Sequence, residues 1–160
     1  MLGDVRGRTA VDFGCGSGFY ASRLKEAGAS RVLGVDLSEA MICELRKAGF
    51  AGVVGDAMSI RLGQVFERIV CAGLLEFVDR PTELLRNLRH HAAPEARAAI
   101  LAPRANVFGR LYCAYHAAHG VQVRLFDVPQ LTGLAEDASW RVNQWMYAGP
   151  FALAMALSPA

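Results

Sequence analysis

A short apolar strand-like run, residues 9–13, breaks directly into Gly14-Cys15-Gly16-Ser17-Gly18. Three glycines at alternate positions after such a run let the chain turn tightly. They also let backbone approach a ligand with no Cβ in the way. The stretch that follows, residues 20–27, has a helical pattern and stops at Gly28. A helix starting there offers free N–H groups and the positive end of its dipole to a carboxylate or phosphate. A plain strand-to-helix turn would use the same residues, so spacing has to decide. The dinucleotide fingerprint G-x-G-x-x-G needs a third glycine where Phe19 stands, and it fails again when counted from Gly16. What stands instead is G-x-G-x-G led by an acid, Asp12. An NAD-dependent oxidoreductase is weakened accordingly.

Beyond the loop, short apolar runs alternate with amphipathic stretches, the pattern of an α/β protein with a mostly parallel sheet. Strands are expected at 9–13, 31–35, 53–54, 68–72 and 98–102. Helices are expected from the Ser38 cap to Ala48, from an Asp79 cap to about His91, over 106–119 and over 129–136. Residues 140–146 and 151–157 read as a closing antiparallel pair around Gly149-Pro150. With 160 residues, 53% of them hydrophobic and 20% charged, the chain can bury a core and is not a disordered tail. No apolar run nears the roughly 20 residues of a spanning helix, and no signal-peptide pattern opens the sequence, so no membrane span and a cytoplasmic location are expected. The net charge of +2 is interspersed, which predicts no nucleic-acid partner. Cys15, Cys43, Cys71 and Cys113 are widely spaced, as expected of small buried thiols.

Two more acids follow strand ends. Asp36 closes Gly34-Val35-Asp36, twenty residues after Gly16, and Asp56 sits in Gly55-Asp56-Ala57. Asp12, Asp36 and Asp56 are all expected to line the carboxyl ends of neighbouring strands, where open α/β sheets bind ligands. An acid such as Asp36 can accept hydrogen bonds from ribose hydroxyls.

These residues resemble the class I S-adenosylmethionine-dependent methyltransferases. Residues 11–18 look like that family's first motif, V-L-D-L-G-C-G-T-G, and V-L-G-V-D-L-S-E-A-M at 32–41 is similar to its second-strand motif. Gly55-Asp56-Ala57 matches the adenine-contacting segment, and F-E-R-I-V-C-A-G-L-L-E-F-V-D-R-P at 66–81 resembles the fourth-strand motif. The resemblance implies a Rossmann-like doubly wound sheet, mostly parallel with an antiparallel C-terminal hairpin: the seven-strand methyltransferase fold. It implies S-adenosyl-L-methionine as cofactor. Asp12 would hold the methionine amino group, directly or through water. Gly14, Cys15, Gly16 and Gly18 would let the loop lie along the methionine and ribose. Asp36 would accept the ribose hydroxyls, with Leu37 and Met41 against adenine. Asp56 would accept from the adenine amino group, beside the Ala57 backbone N–H. Cys71 and Ala72 would deliver backbone to the cofactor. Arg68 and Phe77 depart from the family pattern at positions not expected to touch it.

Methyl transfer demands alignment more than a universal catalytic group. Substrate contacts are expected at Glu76, Tyr112, Tyr115 and His116, with His116 a weak candidate base and no metal, since His116 and His119 lack a third ligand. His90 and His91 read as partners of a helix C-terminus, and Trp140 and Trp145 as core. The apolar, aromatic residues 106–123 favour a small apolar or amphipathic acceptor. The whole chain, 1–160, reads as one methyltransferase core with very short or missing N-terminal lid helices. That leaves room for an upstream extension, or for a homo-oligomer or partner covering the site. The competing reading is a catalytically inactive binding domain or partner subunit of the same fold.

Overall fold

The computed structural model describes residues 1–160. Seven strands, β1 (Thr9–Phe13), β2 (Arg31–Asp36), β3 (Ala51–Val54), β4 (Phe66–Ala72), β5 (Ala92–Pro103), β6 (Trp140–Ala148) and β7 (Ala152–Pro159), form one sheet in the order β3-β2-β1-β4-β5-β7-β6. Strands β1 to β5 run parallel, and β7 runs antiparallel to both β5 and β6. β1 lies between β2 and β4, so successive crossovers leave it in opposite directions. A crevice opens at the carboxyl ends where that reversal occurs.

Alternation along the strands explains the two cores. Ala10 and Val32 face one side of the sheet with Ala21 and Leu24 of α1 (Phe19–Glu26) and Ile42 and Leu45 of α2 (Glu39–Lys47). Val11, Phe13 and Ile69 face the other side, with Leu84, Leu85 and Leu88 of α3 (Pro81–His90). Leu131 and Ala135 of α5 (Val128–Asp137) complete that larger core. Each fully buried Leu contributes about 1.5–3 kcal/mol. α4 (Val107–Ala118) lies after β5 and buries only Gly109.

Sequence and structure differ at several points. α3 starts at Pro81 after Arg80, and no side chain caps it, so Asp79 is not its cap. β5 begins at Ala92 rather than 98, because its first residue pairs with Phe66 across an irregular register. β6 and β7 are longer than expected. Trp140 is buried and donates its indole N–H to the Leu85 carbonyl at 2.9 Å, whereas Trp145 is exposed and belongs to no core. Of the four free cysteines, Cys15 and Cys71 are buried, Cys113 is half-buried and Cys43 is exposed. His91 partners the C-terminus of α3 as expected, but as a neutral ring. It is buried, its Nδ1 lies 2.8 Å from the Asn87 carbonyl, and its Nε2 accepts from Leu62 N–H at 3.1 Å. Burial pushes its pKa down, and these contacts fix the neutral Nδ1–H tautomer. Arg68 is buried and clamps the N-terminal segment, donating to the Asp4 carbonyl and to that of Glu67. No helix is long and apolar enough to cross a membrane.

Candidate active site

The glycine loop leaves β1 by bonding back to β2. Gly14 N–H and Cys15 N–H both donate to the Val35 carbonyl, at 2.8 and 3.1 Å. Gly14 has φ 74°, and a Cβ there would lie 3.0 Å from Leu74 Cβ, so glycine is required twice over. Gly18 begins α1 at φ 104° with no side-chain cap, leaving the first N–H groups of that helix unpartnered by a side chain.

Asp36 follows directly from this turn. Its Oδ2 accepts from Gly16 N–H at 2.9 Å, and its Oδ1 from Ser38 N–H at 2.9 Å. Each oxygen therefore keeps a lone pair for a ligand while the carboxylate is held rigid. Ser38 in turn caps α2, its hydroxyl accepting from Met41 N–H at 3.3 Å. Asp56 is fixed in the same manner by Met58 N–H, 2.8 Å from its Oδ1.

A cavity of about 300 Å³ lies over these strand ends, lined by Gly14, Asp36, Leu37, Gly55, Asp56, Ala57, Met58, Leu74, Phe77, Val78 and Asp79. Five of the expected cofactor residues are gathered there: Gly14, Asp36, Leu37, Asp56 and Ala57. Cys15 turns its thiol into the core beside α1 and α2, Cys71 is wholly buried under the other face, and Met41 sits half-exposed on α2. Ala72 lines a separate apolar groove of about 270 Å³ with Met1, Leu2 and Tyr20. Leu74, Phe77, Val78 and Met58 were not foreseen as walls. Their signal was proximity to the turns after β3 and β4, where apolar side chains have no strand alternation to direct them inward.

Asp12 does not line the cavity with the other two acids. It is 1% exposed beneath the loop, and neither carboxylate oxygen has a hydrogen-bond partner. Burial, then the negative charge of Asp36, push its pKa up to about 7; the Ala21 backbone N–H lies nearby, outside hydrogen-bond geometry, and offsets this only in part. Such an orphaned buried carboxyl demands an explanation.

Glu76 is the second orphan. It sits in a 3-10 turn, Leu75–Phe77, just after β4. It is 5% exposed, its Oε2 has no partner, and burial pushes its pKa up to about 7. Its backbone carbonyl accepts from Arg124 N–H at 3.0 Å, which ties the turn to the segment after α4. Tyr112 lies close enough for the Glu76 charge to add to burial in raising its pKa. The His116 ring packs on Tyr112 at 4.4 Å, Tyr115 at 5.5 Å and Phe77 at 5.8 Å between centroids. So Glu76, Tyr112 and His116 gather beside the turn, while Tyr115 stands largely exposed at the rim. His119 is not on the helix with His116. It caps the C-terminus of α4, its Nδ1 2.8 Å from the Tyr115 carbonyl.

A family model described as a methyltransferase domain matches residues 11–100. Among curated proteins, the chain is 27% identical over 97 residues to a tRNA U34 carboxymethyltransferase of Pseudoalteromonas translucida, covering 56% of this chain and 30% of that protein. It is 39% identical over 59 residues to a ribosomal protein L11 methyltransferase of Tolumonas auensis, covering 37% of this chain and 20% of that protein. The chain thus spans under a third of the length of these relatives. Among solved structures, an S-adenosylmethionine-dependent methyltransferase from Mesorhizobium loti superposes with a TM-score of 0.85 at 20% identity, covering 98% of this chain and 93% of that one. A magnesium protoporphyrin IX methyltransferase from Synechocystis, with bound SAH, gives 0.79 at 16% identity, covering 99% and 77%. At these identities the structural likeness speaks for the fold.

Proposed function

The chain belongs to the S-adenosylmethionine-dependent methyltransferases, and from that premise we propose that it transfers a methyl group from S-adenosyl-L-methionine to a small apolar or amphipathic acceptor. The observation that carries this reading is the placing of two rigid carboxylates, Asp36 and Asp56, around one cavity with an orphaned third, Asp12, beneath its loop.

The residues fit the cofactor group by group. Asp12 is a buried carboxyl without a partner, and the amino group of the methionine portion supplies the cation that would ionise it, directly or through water. The N–H groups that open α1 suit a carboxylate. The free lone pairs of Asp36 suit a ribose diol, and those of Asp56 an exocyclic amine. Leu37, Leu74, Phe77 and Val78 give a flat ring apolar walls. When bound, the cofactor supplies a methyl group on a cationic sulfur, an excellent leaving group. The chain's own task is then to hold the acceptor in line and keep water away. Gly16 and Gly18 belong to the loop under the methionine portion, and Cys71 and Ala72 contribute backbone at the end of β4.

A small acceptor is supported by the aromatic, partly enclosed space around Glu76, Tyr112 and Phe151, with His116 packed on Tyr112, and by cations that are not gathered into a stripe. The tRNA and ribosomal-protein acceptors named for the relatives belong to those proteins. The whole of residues 1–160 acts as one catalytic core in this reading, with no demand for a metal. Titration with S-adenosyl-L-methionine, followed by methyl-transfer assays on small-molecule and RNA acceptor panels, tests it. Transfer to RNA alone would overturn the small-acceptor reading. Cofactor binding without transfer to any acceptor would favour an inactive subunit.

A further inference from the structure

We propose that Glu76 is the hydroxyl-accepting group of a second site, shaped for a single-ring phenolic acceptor; this rests on the methyltransferase reading above. Glu76 lines a cavity of about 170 Å³ with Gly73, Leu101, Pro103, Tyr112 and Phe151; Leu74 and Phe77 of the same turn line the neighbouring cavity that gathers Asp36 and Asp56, so one turn walls both spaces. An apolar cavity of about 150 Å³ holds a benzene ring. The 170 Å³ space therefore takes one ring and is smaller than the roughly 300–1,000 Å³ of drug-sized sites.

Its chemistry is one-sided. Leu101, Ala102, Pro103, Phe151 and the Tyr112 ring give apolar and aromatic contact, and Glu76 supplies the charge-bearing polar side chain. That carboxyl is more than nine-tenths buried, and Oε2 has no partner among the protein's own groups. A buried acceptor left open in this manner is satisfied by a ligand that donates. A ring bearing a hydroxyl has both the apolar body and the donor. For such an acceptor the oxygen loses its proton to Glu76 as its lone pair bonds the methyl carbon. The sulfur–methyl bond breaks with its electron pair kept by sulfur, which leaves as a neutral thioether.

The test compares phenol with anisole, the same ring without the donor, by calorimetric titration of the full chain saturated with S-adenosylhomocysteine. Phenol is expected to bind about tenfold more tightly than anisole, the difference made by one hydrogen bond to a carboxylate. Glu76→Leu is expected to erase that preference while leaving S-adenosylhomocysteine affinity unchanged. Glu76→Gln, which still accepts a hydrogen bond, is expected to keep most of it. Equal binding of the two probes by the unaltered chain, or binding of neither, overturns the proposal even if the variants fail to fold. Loss of S-adenosylhomocysteine binding in a folded Glu76→Leu also overturns it, by assigning Glu76 to the cofactor. Failure of the unaltered chain to bind S-adenosylhomocysteine would instead strike the methyltransferase reading.

Discussion

The half of the sheet built from β1, β2 and β3 and the half built from β4, β5 and α4 handle their acids in opposite ways. On the first, Asp36 and Asp56 are each held by backbone N–H groups within the same turn or the adjoining loop. They are rigid before any ligand arrives. On the second, Glu76 is buried with Oε2 unpartnered and depends on whatever enters beside it. Asp12 stands between the two, on a β1 strand but orphaned like Glu76. In the proposed reading the side given to the cofactor is preorganised by local backbone, whereas the side given to the acceptor is assembled by distant segments. Preorganised donors and acceptors cost no rearrangement at binding, which suits a cofactor used with every turnover.

The largest effect should come from breaking the acceptor side alone. A Cβ at Gly109 would lie 1.9 Å from the Arg104 carbonyl oxygen, a backbone atom that cannot swing aside. Gly109→Ala should displace α4 and remove acceptor turnover by over about a hundredfold. Cofactor affinity should stay within about threefold, since no α4 residue lines the cofactor cavity. A parallel loss of cofactor affinity would show that the two halves are not separable.

The orphaned acids predict a pH dependence of stability. Asp12 and Glu76 hold their protons up to about 7 in the folded chain, against ordinary values of 3.8 and 4.5. Between those limits the folded state binds more protons than the unfolded state, so stability falls as pH rises from about 4 to about 7 and levels off above. The loss is on the order of a few kcal/mol. Urea midpoints of the ligand-free chain should drop from pH 5 to pH 7.5, and Asp12→Asn with Glu76→Gln should flatten that drop. A profile that rises over this range in the unaltered chain would contradict the burial argument.

A sharper cut separates stability from binding at one residue. Asp12→Asn removes a buried charge, so the ligand-free chain should melt at the same or a higher temperature at pH 8. Its affinity for S-adenosylmethionine should still fall about tenfold, because Asp12 is the proposed partner of the amino group. The smallest effect belongs to the cap of α2. Ser38→Ala should cost about 1 kcal/mol and lower the melting temperature by roughly 2–4 °C, read by thermal scanning.

This contrast also explains what could be read in advance. The glycine loop, Ser38 and the acids after β2 and β3 act within a few residues of where they stand, so local spacing located them. Glu76 was visible as an acid after β4, but its burial depends on α4 and on the segment reaching Arg124, 48 residues on. The start of β5 carries no such signal, because Pro94, Glu95 and Arg97 break the apolar run that marks a buried strand. Trp145 looked like core by type alone, yet its strand turns it outward near the end of the sheet. The Asp127–Gln130 capping box that opens α5 carries a local signature, D-x-x-Q, and starts that helix at Val128, one residue ahead of the expected 129.

The central claim is that the Asp36 carboxylate, held by Gly16 and Ser38, anchors the ribose of S-adenosylmethionine. Calorimetric titration of the unaltered chain and of Asp36→Ala with S-adenosylmethionine tests it most directly. The account predicts saturable one-to-one binding by the unaltered chain and an affinity about a hundredfold lower in Asp36→Ala. Unchanged affinity in a folded Asp36→Ala would contradict it.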